Sequence, residues 1–175
     1  MKTFALCFTG ISGSGKSTIA NSLKKYLESK NSKCQLIDGD ILRQQLGHLF
    51  GYTREERIKN SQVVRVLSKY LNQNGISTIV AIVAPYEEMR KGIREYIGEN
   101  YIEVFVDCPY EECVKRDIKG YYKKQLEGTM SNLNGADDIY EVPKNSDIIL
   151  HTEKESIDES VQKIVDYLRK HDYAI

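Results

Sequence analysis

The stretch GISGSGKSTIANSL, residues 10–23, follows a short apolar run, FALCF at 4–8, and opens a helical stripe of Ile19, Leu23 and Leu27. Gly10, Gly15, Lys16 and Ser17 fill the pattern G-x-x-x-x-G-K-[ST] in the context that gives it meaning, strand before and helix after. Glycines let backbone N–H groups turn inward around an anion with no Cβ in the way. The helix that starts there points its positive dipole end at the same spot. In such a loop the lysine reaches the outer phosphates and the Ser17 hydroxyl ligates Mg²⁺. The segment predicts a site for a nucleoside triphosphate, and it decides the fold class.

Beyond this segment, the runs CQLI (34–37), STIVAIVA (77–84), IEVFVD (102–107) and DIIL (147–150) are short, apolar and rich in β-branched or aromatic residues. Parallel strands buried on both faces read this way. Helical stripes separate them: Val63, Val64, Leu67 and Leu71, then Ile157, Val161, Ile164, Val165 and Leu168. Ser156 with Glu159, and Thr53 with Glu56, are capping-box pairs that open the corresponding helices. The expected fold is α/β of the P-loop NTPase type: three α/β/α layers around a five-stranded parallel sheet. One polar, glycine-punctuated interruption, about 115–143, is expected to be a mobile lid on a single domain spanning 1–175.

A chain of 175 residues buries about 70% of its unfolded surface on folding, enough for a full core without staples. The 25 Lys and Arg cancel the 25 Asp and Glu, which argues against a general nucleic-acid or membrane-surface binder. Cys7, Cys34, Cys108 and Cys113 form no C-x-x-C pair and read as reduced and structural, implying the cytoplasm. His48, His151 and His171 show no metal-ligand spacing. No signal peptide and no membrane span is expected.

Residues after the second strand point to the acceptor of the phosphoryl group. In LIDGDILRQQL, Asp38 and Asp40 emerge at a strand's carboxyl end, where open α/β sheets place ligands, and Arg43 comes three residues on, in the first turn of a helix. A carboxylate there accepts a hydroxyl's proton or holds Mg²⁺ through water, while a turn or N-cap aspartate is the bland alternative. In GYTREERIKN, Tyr52 precedes Arg57 and Asn60, which share a helix face. Ring, cation and amide together suit a nucleotide, while on these residues alone a solvated charged helix is the favoured, bland reading. A guanine-reading N-K-x-D segment is absent, which favours a kinase over a GTPase. Residues 115–127 hold five cations (Lys115, Arg116, Lys119, Lys123, Lys124) against Asp117 and Glu127, as a lid over a moving phosphoryl group requires.

These residues taken together resemble the adenylylsulfate (APS) kinase family. The matches are GxSGSGKST at 10–18, DGD-x-x-R at 38–43, G-[FY] at 51–52, R-x-x-N at 57–60 and A-P-Y at 84–86. They continue with IEVFVDCP at 102–109, R-D-x-K-G-x-Y-K-K at 116–124, N-G-x-D at 134–137 and YEVP at 140–143. The resemblance implies ATP- and Mg²⁺-dependent phosphorylation of the ribose 3′-hydroxyl of a 5′-nucleotide by a homodimer. Gly10, Ser12, Gly13, Ser14, Gly15, Lys16, Ser17, Thr18 and Arg116 would hold ATP, with Ser17 and Asp38 at the metal. Asp38 would be the base or acceptor orienter, with Lys16 and Lys119 as its catalytic partners. Asp40, Arg43, Arg57, Asn60, Pro85, Tyr86, Lys123 and Leu133 would surround the acceptor, and Tyr52 would stack on its base.

The departures from the family pattern all lie on the acceptor side. KNSQV at 59–63 stands where the family writes E-N-I-R-R, and APYE at 84–87 where it writes S-P-Y-R. Ala84 excludes a phosphoserine there, so direct in-line transfer is expected. Leu133 replaces an aromatic that stacks on adenine, worth about 1–3 kcal/mol. Two acceptors are therefore open: adenylyl sulfate, or a cytidine nucleotide such as cytidine diphosphoramidate of capsule pathways. Rival classes, a nucleotide-dependent switch or a sugar-acid or shikimate kinase, would not need Tyr52, Asn60 and KGYYKK together. Met1 lies nine residues before the loop, so weak substrate inhibition is expected for want of an N-terminal extension.

Overall fold

The computed structural model describes residues 2–47, 49–173 and 175. His48, one of the three histidines considered above, lies outside the described residues. The elements run β1 (Ala5–Thr9), α1 (Lys16–Ser29), β2 (Cys34–Asp38), α2 (Gly39–Gln45), α3 (Arg54–Gln73), β3 (Ser77–Ala81) and α4 (Glu87–Ile97). Then come β4 (Tyr101–Asp107), α5 (Tyr110–Arg116), α6 (Tyr121–Leu126), β5 (Ile148–His151) and α7 (Ile157–Lys170). The five strands form one parallel sheet in the order β2-β3-β1-β4-β5, the architecture the sequence predicts.

Both faces of β1 are buried, as its unbroken apolar run requires. Leu6 and Phe8 pack with Ile19, Leu23 and Leu27 of α1 and Ile164 and Leu168 of α7. Ala5 and Cys7 face the other way, onto Val64 of α3 and Ile93 and Ile97 of α4. Because β1 pairs with β3 on one side and β4 on the other, the chain leaves it at the point where the strand order reverses. Ligand crevices form there, outside the strands' carboxyl ends.

Four expectations shift. The run 77–84 leaves the ladder at Ala81: the Thr9 hydroxyl donates to Val83 O at 2.6 Å and Gly10 N to the same oxygen at 3.3 Å, drawing Ile82–Ala84 toward the phosphate loop. Arg43 sits in the last turn of α2, not its first. On α3, Val64 is buried but Leu67 is exposed, and the buried face is largely polar: Arg57, Asn60, Ser61, Ser68 and Asn72. Asn72 explains part of that rotation, since its Nδ2 donates to Phe4 O and Ile76 O at 3.0 Å each. Both capping boxes are present. Ile157, expected on the apolar face of α7, is instead half exposed as its first residue. All four cysteines are free, and among the described residues no helix is long and apolar enough to cross a membrane.

Candidate active site

The phosphate loop fills the gap between β1 and α1. Its glycines are needed: Gly13 has φ +78°, and a Cβ there would lie 2.8 Å from Cys113 O, while Gly10 is equally blocked by Val106 O at 2.7 Å. Lys16 folds over the loop, its Nζ donating to Gly10 O and Ile11 O at 2.7 Å each. Burial, and then the neighbouring Lys119 ammonium, push its pKa down to about 8. Gly10 and Ser14 shape the loop from behind; Ser12, Gly13, Gly15, Lys16, Ser17 and Thr18 line a cleft.

Across that cleft stand the residues read from the second strand onward: Asp38, Asp40, Arg43, Tyr52, Arg57, Asn60, Pro85, Lys119 and Leu133. Asp38 occupies the middle. One carboxylate oxygen accepts from the Ser17 hydroxyl at 2.7 Å, and the other caps α2 through Asp40 N at 2.9 Å. The bland role of N-cap and the functional position thus coincide in one side chain. Asp40 is ion-paired with Lys119, so α2 receives the lid's cation.

Arg43 and Arg57 are both buried, and both guanidiniums lie on the Tyr52 ring, 4.8 and 5.2 Å from its centroid. Arg57 donates to Tyr52 O at 2.8 Å and Asn132 O at 2.7 Å, and Arg43 to Gly51 O at 3.3 Å. Among the described residues neither forms an ion pair with a carboxylate. Burial, and then the adjoining Arg43 charge, lower the Arg57 pKa. Two desolvated guanidiniums without a counter-charge make a site for an anion.

Some expected residues fall elsewhere. Tyr86 does not line the cleft; it is buried behind it, its hydroxyl donating to Asp138 Oδ2 at 2.8 Å. Lys123 points to solvent beside Glu127, 3.9 Å away, because it lies on the outer face of α6. Arg116 lines a second depression with Gly13, Thr18 and Thr152, holding Thr152 O at 2.9 Å. Of the departures from the family pattern, Glu87 lies outside the cleft at the start of α4, while Ala84 and Leu133 line it. Ala84 has φ +42°, a strained value for a residue with a side chain.

Sequence reading missed Tyr121, Met130 and Asn134, which also line the cleft. Tyr121 precedes the motif tyrosine Tyr122, whose hydroxyl reaches Ser12 O at 2.8 Å and ties the lid segment to the phosphate loop. Thr152 was missed too. Its place just past β5, at the same carboxyl edge of the sheet where β1 and β2 deliver cleft residues, was the available signal; its hydroxyl donates to Ser14 O at 2.7 Å.

The family model described as adenylylsulphate kinase matches residues 2–151. The chain belongs to the adenylyl-sulfate kinase family. It is 41% identical over 172 residues to the adenylyl-sulfate kinase of Halothermothrix orenii, covering 98% of this chain and 92% of that one. The Mycobacterium tuberculosis APS kinase, solved in complex with AMPPNP and APS, superposes with a TM-score of 0.91 at 33% identity, covering 96% of this chain and 98% of that one. A hexameric APS kinase from Thiobacillus denitrificans matches at 28% identity and a TM-score of 0.73, over 99% of this chain and 30% of that one.

Proposed function

We propose that this chain transfers the γ-phosphoryl group of ATP to the ribose 3′-hydroxyl of adenylyl sulfate. One observation carries the reading: a single cleft runs from the phosphate loop at Lys16, past Asp38, to the paired guanidiniums of Arg43 and Arg57. A polyanionic donor fits one end and an acceptor with its own anionic 5′ group fits the other. The hydroxyl to be phosphorylated then falls beside Asp38. Relatives named adenylyl-sulfate kinase along nearly the whole chain favour adenylyl sulfate over a cytidine nucleotide.

Transfer is in line and direct. The 3′-oxygen bonds the γ-phosphorus, the bond to the β–γ bridging oxygen breaks, and the proton leaves toward Asp38. Lys16 and Lys119 crowd cationic charge around the transferring group, and binding of phosphate relieves their mutual repulsion. The lid segment keeps water, the competing acceptor, out. The second depression, with Arg116 and Thr152, extends the donor side and suits the nucleoside of ATP.

The oxygens present fit Mg²⁺. Ser17 Oγ and Asp38 Oδ2 lie 2.7 Å apart at the foot of the loop, and among the described residues there is no cluster of three or more His, Cys, Asp or Glu. That suits a cation held by one or two side chains with phosphate oxygens and water completing its shell. When bound, Mg²⁺ neutralises charge on the phosphates.

A homodimer in the cytoplasm completes the reading; the four free cysteines agree with a reducing compartment. Light scattering should return twice the 20.1 kDa chain mass. The activity is tested by incubating the protein with Mg²⁺, ATP and either adenylyl sulfate or cytidine 5′-diphosphates. ADP release with a 3′-phosphorylated adenylyl product is expected. Turnover of the cytidine compounds alone would replace the acceptor, and turnover of neither would overturn the kinase reading.

A further inference from the structure

Val83, Ala84 and Pro85 form one wall of the cleft, and their three carbonyls are each taken by a donor from a different part of the chain. Val83 O accepts from the Thr9 hydroxyl at 2.6 Å and from Gly10 N at 3.3 Å, at the mouth of the phosphate loop. Ala84 O accepts from Arg90 Nη1, on α4, at 2.8 Å. Pro85 O accepts from Glu141 N, near the end of the lid segment, at 2.8 Å.

The middle residue is the strained one. Ala84 has φ +42°, whereas a residue before a proline is pushed toward extended backbone with negative φ. Some contact must hold it there. The Thr9 hydroxyl has a single proton, and Val83 O, the nearer acceptor, takes it; Ala84 O, 3.2 Å away, gets the weaker share. The Tyr140 hydroxyl, 2.9 Å from Thr9 Oγ1, then donates to Thr9. That leaves Arg90 as the main donor to Ala84 O. Arg90 is 4% exposed, does not line the cleft, and among the described residues forms no ion pair. A buried guanidinium without an ion pair is costly, and an apolar side chain would serve packing as well. What the charge adds is a strong, directed bond to one backbone oxygen of the wall.

We infer that Arg90 is a positioning residue: through Ala84 O it holds this wall in its left-handed turn, so that the acceptor meets a preset surface without touching Arg90. The inference rests on the phosphoryl transfer proposed for the cleft. Without the Arg90 bond the wall relaxes toward negative φ, and the acceptor binds only the fraction of molecules in which the turn survives. A left-handed residue that carries a Cβ is disfavoured about 5- to 30-fold. Affinity for the acceptor falls by that factor, while the phosphate loop, held by its own bonds, keeps ATP.

The test is a double-mutant cycle in steady-state kinetics, with whichever of adenylyl sulfate and cytidine 5′-diphosphate the wild type phosphorylates. Arg90→Met, which keeps much of the side chain's length, should raise acceptor KM about 5- to 30-fold and leave the KM of ATP within about twofold. Glycine adopts positive φ freely. In an Ala84→Gly background the same Arg90→Met change should therefore move acceptor KM less than about threefold. A general loosening of the fold would not be cured by a glycine elsewhere in the chain. Equal rises in the two backgrounds, an unchanged acceptor KM in Arg90→Met, or an ATP KM that rises in step would overturn the inference. Should Arg90→Met not fold, Arg90→Gln takes its place and is judged by the same ratios. A wild type that phosphorylates neither compound sinks the kinase reading and this inference with it, whereas the failures seen only in the variants sink the inference alone.

Discussion

The donor and acceptor halves of the cleft are built by opposite rules. Around the phosphate loop nearly every group is spoken for: Lys16 on two carbonyls, Ser17 on Asp38, Thr152 on Ser14, Tyr122 on Ser12. On the acceptor side, among the described residues, the two guanidiniums of Arg43 and Arg57 form no ion pair and the amide oxygens of Asn60 and Asn134 accept no hydrogen bond. Phosphate is the same in every nucleotide, so a loop of backbone groups suffices and its sequence is constrained throughout. Base and 5′ group differ between nucleotides, so side chains recognise them, and those can change without disturbing the loop. Of the departures from the family pattern, Ala84 and Leu133 fall on that second half.

Substitutions should separate the two halves, with effects of very different size. Lys16→Met should lower kcat about 10²- to 10³-fold, the cost of one preorganised donor, with acceptor KM little changed in steady-state assays. Arg57→Ala should raise the KM of the acceptor about 10- to 100-fold while leaving that of ATP alone, since hydrogen bonds to a charged group are worth about 1.5–3 kcal/mol. An equal rise in both KM values would merge the two halves.

A pH effect belongs to the donor half. Lys16 is protonated below about 8 and neutral above it, whereas phosphate favours the charged form. ATP affinity should therefore weaken about tenfold per pH unit once the pH passes 8. Calorimetry in buffers of different ionisation enthalpy should show proton uptake on binding there and none near pH 6. Smaller still, Thr53→Ala and Ser156→Ala each remove a capping box, costing about 1 kcal/mol and about 2–4 °C in Tm. Only Thr53→Ala, which loosens the helix carrying Arg57 and Asn60, should also raise acceptor KM. Lys123→Ala should leave kcat within about twofold, in contrast to Lys119→Ala.

Legibility in the sequence divides along the same line. The phosphate loop is local: four residues in a fixed spacing between strand and helix determine its geometry and its ligand. The sheet was legible because β1, β3 and β4 are buried on both faces and read as unbroken apolar runs. The polar face of α3 was not, since periodicity counts apolar residues and Arg57, Asn60 and Ser68 are buried for reasons found elsewhere in the chain. Lys123 looked like Lys119 in a row of cations until α6 turned it outward. Asn134 owes its place to bonds with Asp138 and Ile139, partners that composition does not announce.

Both halves depend on Asp38, which stands between them and acts on the hydroxyl that joins them. Single-turnover rates of Asp38→Asn with saturating ATP, Mg²⁺ and adenylyl sulfate put that role to the test. The asparagine keeps the shape and an oxygen for the α2 cap, so folding and acceptor affinity should hold while the transfer rate falls about 10²- to 10⁴-fold. A transfer rate within about threefold of wild type would remove Asp38 from the chemistry, a loss far below the range expected of a missing general base.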